Sequence, residues 1–407
     1  MPTERTLVRD LARQYAEVCA DPIQADRRSA WRRHNSLHGD RPLIYMRAFA
    51  WHELPEHACQ CTDPFLRGWE DHFRQRLYWA SLGDDSVFEP WVTVGARYRC
   101  SGWGVPIGRQ HSGAAGGAFK VDYPLRDEAD IDQLRAPWHE VDEEATAAAV
   151  APVQDLLGDI LTVDVDRAGA YRMWTADLST DLFYLRGIEH FCLDMLDRPE
   201  WLHRLVGFMA DGVARCHQQA EDAGDWGLTA HQNQAMPYAE ELPDPAPSRR
   251  GIRRSQLWGY MASQEFTSVS PGMWAEFLLA YQKPILERFG LSAYGCCEDL
   301  SRKIPHLRQI ANLRRIAVSP FANVAQCAEA IGRDYVLSYR PSPADMVGYG
   351  WDEQRVLGVL RRDLALCRES HVDITLKDVE TMQGDSRRAA AFVRLCRQVI
   401  GEVWALE

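Results

Sequence analysis

From about residue 160 onward, short apolar runs alternate with longer amphipathic stretches. The runs at 160–165, 171–174, 226–230, 257–261, 291–294, 313–318, 335–338 and 372–376 read as strands. Between them the spacing of apolar positions predicts helices over 180–196, 199–222, 271–289, 300–310, 324–331, 352–369 and 385–404. Arg198-Pro199 and Ser270-Pro271 place proline in a first helical turn, and Gly290 and Gly332 end helices. Strands that alternate with helices argue for a parallel sheet covered by helices. The repetition is too long for one nucleotide-binding half, and no Gly-x-Gly-x-x-Gly follows a first strand. The expected fold is therefore α/β, a (β/α)8 TIM barrel with an N-terminal, mainly helical extension. Residues 1–150 form that extension, packed on the barrel and able to supply early barrel elements. Residues 151–407 form the main part, and the whole is expected to be one structural unit.

The N-terminal third is patterned less regularly. Leu7, Leu11, Tyr15 and Val18 recur at spacings of three and four, which predicts a helix over 4–20. A second helix over 63–82 opens on Asp63-Pro64. The stretch 101–117 holds six glycines, at 102, 104, 108, 113, 116 and 117, and reads as a loop or hairpin. It is not a phosphate cradle, because no strand and helix flank it.

Charge and composition narrow the function. The 46 basic and 58 acidic residues leave a formal charge of −12, which disfavours nucleic acid as a partner. No apolar run approaches the ~18 residues of a membrane helix, and the start of the chain is too polar for a signal peptide. The expected location is cytoplasmic, the expected partner a small-molecule substrate, and a homodimer is left open. Eleven cysteines, an odd number in a large chain, are read as reduced thiols and not as a disulfide scaffold. Cys59-Gln60-Cys61 lacks a second nearby pair and is read as non-metal. The basic run 249–254 is read as solvated surface.

In α/β barrels the chemistry lies at the C-terminal ends of the strands. The strand at 291–294 runs into Gly295-Cys296-Cys297-Glu298, where two thiols and a carboxylate could meet a metal such as Zn²⁺ across a sharp turn. The last strand ends in Lys377-Asp378, an acid or anion-binding lysine with a carboxylate to orient it. Glu265, after the strand at 257–261, is a candidate ligand or general base. Arg340 could fork onto a substrate carboxylate. His231 could ligate metal or shuttle protons, and Trp258 could line a pocket. For each the plain alternative stays open: a helix cap, a surface ion pair, or a satisfied buried group.

The stretch from Leu257 to Lys377 resembles the uroporphyrinogen decarboxylase-like proteins, which include methyltransferases working between corrinoid proteins and thiols. The strings that carry the resemblance are Leu257-Trp258-Gly259, Ser263-Gln264-Glu265, Val269-Ser270-Pro271, Tyr281-Gln282-Lys283-Pro284, Glu287-Arg288-Phe289-Gly290, Tyr294-Gly295-Cys296-Cys297-Glu298, Asn312-Leu313-Arg314-Arg315, Val318-Ser319-Pro320 and Leu376-Lys377-Asp378. The N-terminal third matches weakly, through Arg41-Pro42 and Ser101-Gly102-Trp103-Gly104. The chain looks most like the branch with a Gly-Cys-Cys-Glu string.

The resemblance implies a barrel with its pocket at the C-terminal mouth, and a methyl- or one-carbon-transfer activity. It also implies Zn²⁺ held by a His-x-Cys string and a distant Cys, and a corrinoid carried by a partner protein. Here Tyr294 stands where that His would be, with Cys296 two residues on, and the last strand ends in Lys377-Asp378 without a cysteine. A different set drawn from Cys296, Cys297, Glu298, Glu265, His231 and Asp378 is the alternative. On this reading Glu265, Lys377 and Asp378 are catalytic, and Arg340, His231, Trp258 and Tyr294 contact substrate. The Arg-Gln-Ala-Gly-Arg string of the true decarboxylases is absent, and Ile44-Tyr45-Met46-Arg47-Ala48 stands instead. Two other readings remain: a metal-free decarboxylase or lyase on a carboxylated small molecule, and a barrel that binds a ligand or corrinoid partner without turnover.

Overall fold

A computed structural model describes residues 3–100, 102–113 and 117–404. Six strands form one parallel sheet: β1 (Leu43–Met46), β6 (Trp258–Met261), β7 (Leu291–Tyr294), β8 (Leu313–Val318), β9 (Val336–Tyr339) and β10 (His371–Leu376). Their order is β1-β10-β9-β8-β7-β6. The other four strands are β2 (Trp91–Gly95), β3 (Gly108–His111), β4 (Phe119–Asp122) and β5 (Thr162–Asp166). β2 and β5 run parallel as a separate pair, and β3 and β4 make an antiparallel hairpin. The fold is thus mixed α/β around a parallel sheet, as expected. Among the described residues the sheet does not close into an eight-stranded barrel.

Side chains satisfy part of each open edge. On β1 the Asp85 carboxylate accepts from Ile44 N at 2.7 Å, and Asp84 accepts from Met46 N at 2.9 Å. On β6 the ring Nδ1 of His231 accepts from Trp258 N at 3.2 Å. A backbone N–H left unpaired in the interior costs about as much as a lost hydrogen bond, so each of these acceptors stands in for a neighbouring strand.

Period-two alternation sorts the strands into two faces. Val372, Ile374 and Leu376 of β10, with Ile316, Val318, Leu337 and Tyr339, belong to the large apolar core that includes the helices 353–366 and 387–403. The other face of β10 carries Asp373 and Thr375, and Lys377 continues that alternation. Asp373 receives an ion pair from Arg315 and hydrogen bonds from Ser338 at 3.0 Å and Thr375 at 2.7 Å. The inner face is therefore polar toward the strands' starts and leads to reactive groups at their ends.

Several expectations shift by local causes. The stretch 171–174 is a 3-10 turn at Met173–Thr175, and 226–230 is not a strand, although Trp226 is buried. The helix expected over 180–196 is two, Ser179–Arg186 and Ile188–Asp197, parted by Gly187 at φ +83°. The helix expected over 300–310 is reduced to Ile304–Leu307. The helices Ile23–Asn35 and Glu143–Leu157 and the strands β1 and β2 lie in the less regular third. Of the glycine-rich stretch at 101–117, residues 101 and 114–116 lie outside the described residues, and the rest includes β3. No helix among the described residues is long and apolar enough to cross a membrane.

Candidate functional site

The turn after β7 is built around Gly295, whose φ of +97° is open to glycine and strained for other residues. A Cβ there would also meet Leu300 Cδ1 at 2.5 Å and Ala317 Cβ at 3.1 Å. The turn is stapled by Glu298, which is 1% exposed. One of its oxygens accepts from Ser263 N at 2.7 Å and the other from Cys296 N at 2.8 Å. Arg340, at the end of β9, donates to the carbonyls of Gly295 at 3.2 Å and Cys296 at 3.0 Å. Tyr260 of β6 donates to the Gly295 carbonyl at 3.3 Å. Three elements thus fix one short loop.

What the loop presents is a pair of reduced thiols. The sulfurs of Cys296 and Cys297 lie 3.5 Å apart, and both residues are free cysteines. Lys377 follows β10 on the inner face, and its Nζ stands 3.1 Å from each sulfur. Lys377 also pairs with the neighbouring Asp378, which lies 3.4 Å from Cys297 Sγ. Asp378 is held at φ +54°, a left-handed conformation that costs a residue with a Cβ and brings its carboxylate back toward the lysine.

The electrostatics follow from this arrangement. A hydrogen bond from Cys297 stabilises the Cys296 thiolate, and with the charges of Arg340 and Lys377 it outweighs burial and draws Cys296 down to about 6. Cys297, as the donor partner and partly buried, is held well above the usual thiol range. Burial alone would lower Lys377. The Cys296 thiolate and Asp378 outweigh it, so the ammonium is reinforced. Asp378 is likewise opposed by burial but lowered by Lys377. The resting pair therefore carries one negative charge against a fixed ammonium.

Among the described residues, no three His, Cys, Asp or Glu side chains are arranged to hold a metal ion. The reason is visible in the donors. Lys377 Nζ occupies the position between the two sulfurs that a cation would need. Both Glu298 oxygens are taken by backbone N–H groups. These residues as arranged do not fit zinc.

The remaining predicted residues are placed as follows. Glu265, in the turn after β6, is hydrogen-bonded by Ser179 and by Thr180 at 3.4 Å, and burial raises its pKa. It belongs to a second group of acids with Asp177, raised well above the usual range by burial, and Asp181, raised to about 6 by burial. Trp103 Nε1 donates to Asp181 at 2.6 Å. The sequence reading passed over this group, although Asp177-Leu178-Ser179-Thr180-Asp181 packs two acids and two hydroxyls into one helix start. Tyr294 turns toward the helices, where it donates to Gln282 Oε1 at 2.6 Å. His231 and Trp258 sit at the start of β6, the end away from the thiols, and burial pulls His231 down to about 4. The structure thus gathers Cys296, Cys297, Glu298, Arg340, Lys377 and Asp378 and leaves those two apart. Asp378 also walls a cleft of about 250 Å³ with Pro343, Ala344, Gly348, Tyr349 and Glu380.

The class this defines is a parallel α/β protein with a lysine-held thiol pair at the carboxyl edge of its sheet. Comparison with solved structures adds one named likeness. The chain superposes on a methyltransferase from Methanosarcina mazei with a TM-score of 0.52 and 11% identity, over 91% of this chain and 98% of that one. At that identity the likeness is one of fold. No protein-family model matches the chain, and no curated protein matches it.

Proposed function

We propose that the protein is a methyl- or one-carbon-transfer enzyme in which the Cys296–Cys297 pair is the nucleophile. The single observation that carries this is Lys377 Nζ at 3.1 Å from both sulfurs, which joins the hydrogen bond from Cys297 and the charge of Arg340 in holding the pair as a thiolate near neutral pH. The fold likeness to a methyltransferase and the resemblance to the uroporphyrinogen decarboxylase-like proteins support the same class. On this reading the sheet is an opened relative of the (β/α)8 barrel, and its thiol-bearing edge is the mouth.

The thiolate lone pair forms the S–C bond while the bond between carbon and its leaving group breaks, the leaving group keeping that electron pair. Lys377 holds the thiolate before attack and can pass a proton to a basic leaving group. Asp378 orients Lys377, and Arg340 fixes the loop, being committed to the two carbonyls. Glu265, whose pKa burial raises, is the acid assigned to a hydrogen bond with substrate. No step runs through zinc. A corrinoid, where it is the methyl source, would be brought by a partner protein.

The test uses the full chain with methylcobalamin or methyl iodide as the methyl source, followed by peptide mass analysis. One added methyl group on Cys296 or Cys297, lost in Lys377→Ala, is expected. Absence of that label while iodoacetamide still modifies the same cysteines would sink the proposal.

A further inference from the structure

At the opposite end of the sheet lies a cavity of about 140 Å³ lined by His34, Arg41, Arg333, Arg368, Ser370 and His371, with Asp40 as its acid. We propose that it is a binding site for a small tetrahedral oxyanion, orthophosphate or a phosphoryl group of similar size. The argument begins with charge. The chain is acidic, at −12 overall, and most of its arginines are paired to carboxylates. Here three arginines line one cavity, Arg41 and Arg333 each also donating through one Nη1 to a carbonyl, of Pro42 at 3.2 Å and of Glu369 at 3.4 Å. Among the described residues, neither Arg333 nor Arg368 has a carboxylate within ion-pair distance, and Arg41 has only a long contact of 3.6 Å to Asp85. Asp40, the one acid in the wall, is already paired to Arg33 at 3.0 Å.

The cavity floor is as polar as its rim. His371 is 5% exposed and His34 is 1% exposed. Gly39 lets the loop before β1 close tightly on this floor, since a Cβ there would sit 3.1 Å from His34 Cα. A planar fork of N–H donors matches phosphate geometry, and three forks around one pocket give both charge and direction. The volume admits a phosphate group with its first waters and excludes a nucleotide. The thiol pair lies at the other end of β10, so this inference stands or falls separately from the proposed transfer chemistry.

The test is the melting temperature of the full chain against rising orthophosphate, with chloride at matched ionic strength as reference and sulfate and acetate as further arms. Orthophosphate is expected to raise the melting temperature beyond chloride. Arg333→Ala and Arg368→Ala, both at exposed positions, are expected to weaken apparent phosphate affinity about tenfold each, and Cys296→Ala to leave it unchanged. Sulfate following phosphate, with acetate inert, is expected for a tetrahedral site. Three outcomes would overturn the proposal: no rise beyond chloride, an equal rise in the arginine variants, or a response to acetate alone.

Discussion

Lys377 reaches Cys296 across the sheet from the next-but-two strand, with Nζ 3.1 Å from the sulfur, and so holds a thiolate where a metal would otherwise be expected. A fixed ammonium does the electrostatic part of a zinc ion's work on a thiol. It offers no open coordination position, so on the proposed function an acceptor or substrate approaches the sulfur itself.

Removing that ammonium should take away part of what holds the thiol as a thiolate. In Lys377→Met, the midpoint of iodoacetamide labelling of Cys296 is expected to move up from about 6 but to stay below the ordinary thiol range, because the hydrogen bond from Cys297 and the charge of Arg340 remain. Labelling at neutral pH should then slow. An unchanged midpoint would show that Lys377 does not set the thiolate.

The thiol pair also makes stability depend on pH. Unfolded, both thiols titrate near 9.0; folded, Cys296 titrates near 6 and Cys297 well above the usual range. Between 6 and 9 the unfolded state holds the extra proton, so the pair's contribution grows as pH rises. Above 9 the folded state holds the extra proton through Cys297, and the contribution declines. Urea titrations of wild type and a Cys296→Ala, Cys297→Ala double variant should differ most near pH 9. A difference flat across that range would contradict the shared-proton arrangement.

Because the donors as arranged do not fit zinc, extended dialysis against a chelator should leave both the melting temperature and the rate of Cys296 labelling unchanged. Equilibration with zinc followed by gel filtration should leave far less than one ion per chain. Stoichiometric retention, lost in Cys297→Ala, would reverse this.

The loop should be intolerant of small changes. Gly295→Ala places a methyl group against Leu300 and Ala317 in a left-handed conformation, and a loss of about 1–3 kcal/mol is expected in urea unfolding. Glu298→Ala strands two buried backbone N–H groups, at about 1–3 kcal/mol for each, and should cost about 2–6 kcal/mol in the same measurement. Wild-type stability in either variant would remove the staple from the account.

Deeper in the sheet, Asp373→Asn should leave the fully buried Arg315 without its counter-ion, at a cost of about 3–5 kcal/mol. The same unfolding measurement checks it, and a cost within experimental error would mean the network is dispensable.

The alternation of strands and helices from residue 257 onward was legible because its apolar runs, several of them bounded by Pro or Gly, sit on a buried sheet. The Gly-Cys-Cys-Glu turn and Lys377-Asp378 were legible as strand ends. Their meeting was not, since nothing in local pattern says that Lys377 points between two sulfurs. Glu298 read equally well as ligand or cap, and only its two backbone partners decide between these. β1 was hidden because its four residues, Leu43–Met46, carry no alternation: all are buried on both faces. The acids at 177 and 181 were hidden because their burial comes from distant partners, Trp103 among them.

His231 on one margin of the sheet and Asp84 and Asp85 on the other do more than satisfy hydrogen bonds. Exposed strand margins invite pairing with another chain. Here three of the donors that a foreign strand would seek, on Trp258, Ile44 and Met46, are already engaged by a ring nitrogen and two carboxylates. The molecule can leave its sheet unclosed, as a reactive cleft benefits from, without turning that opening into a seed for aggregation. Two acidic side chains and an imidazole serve as the missing staves.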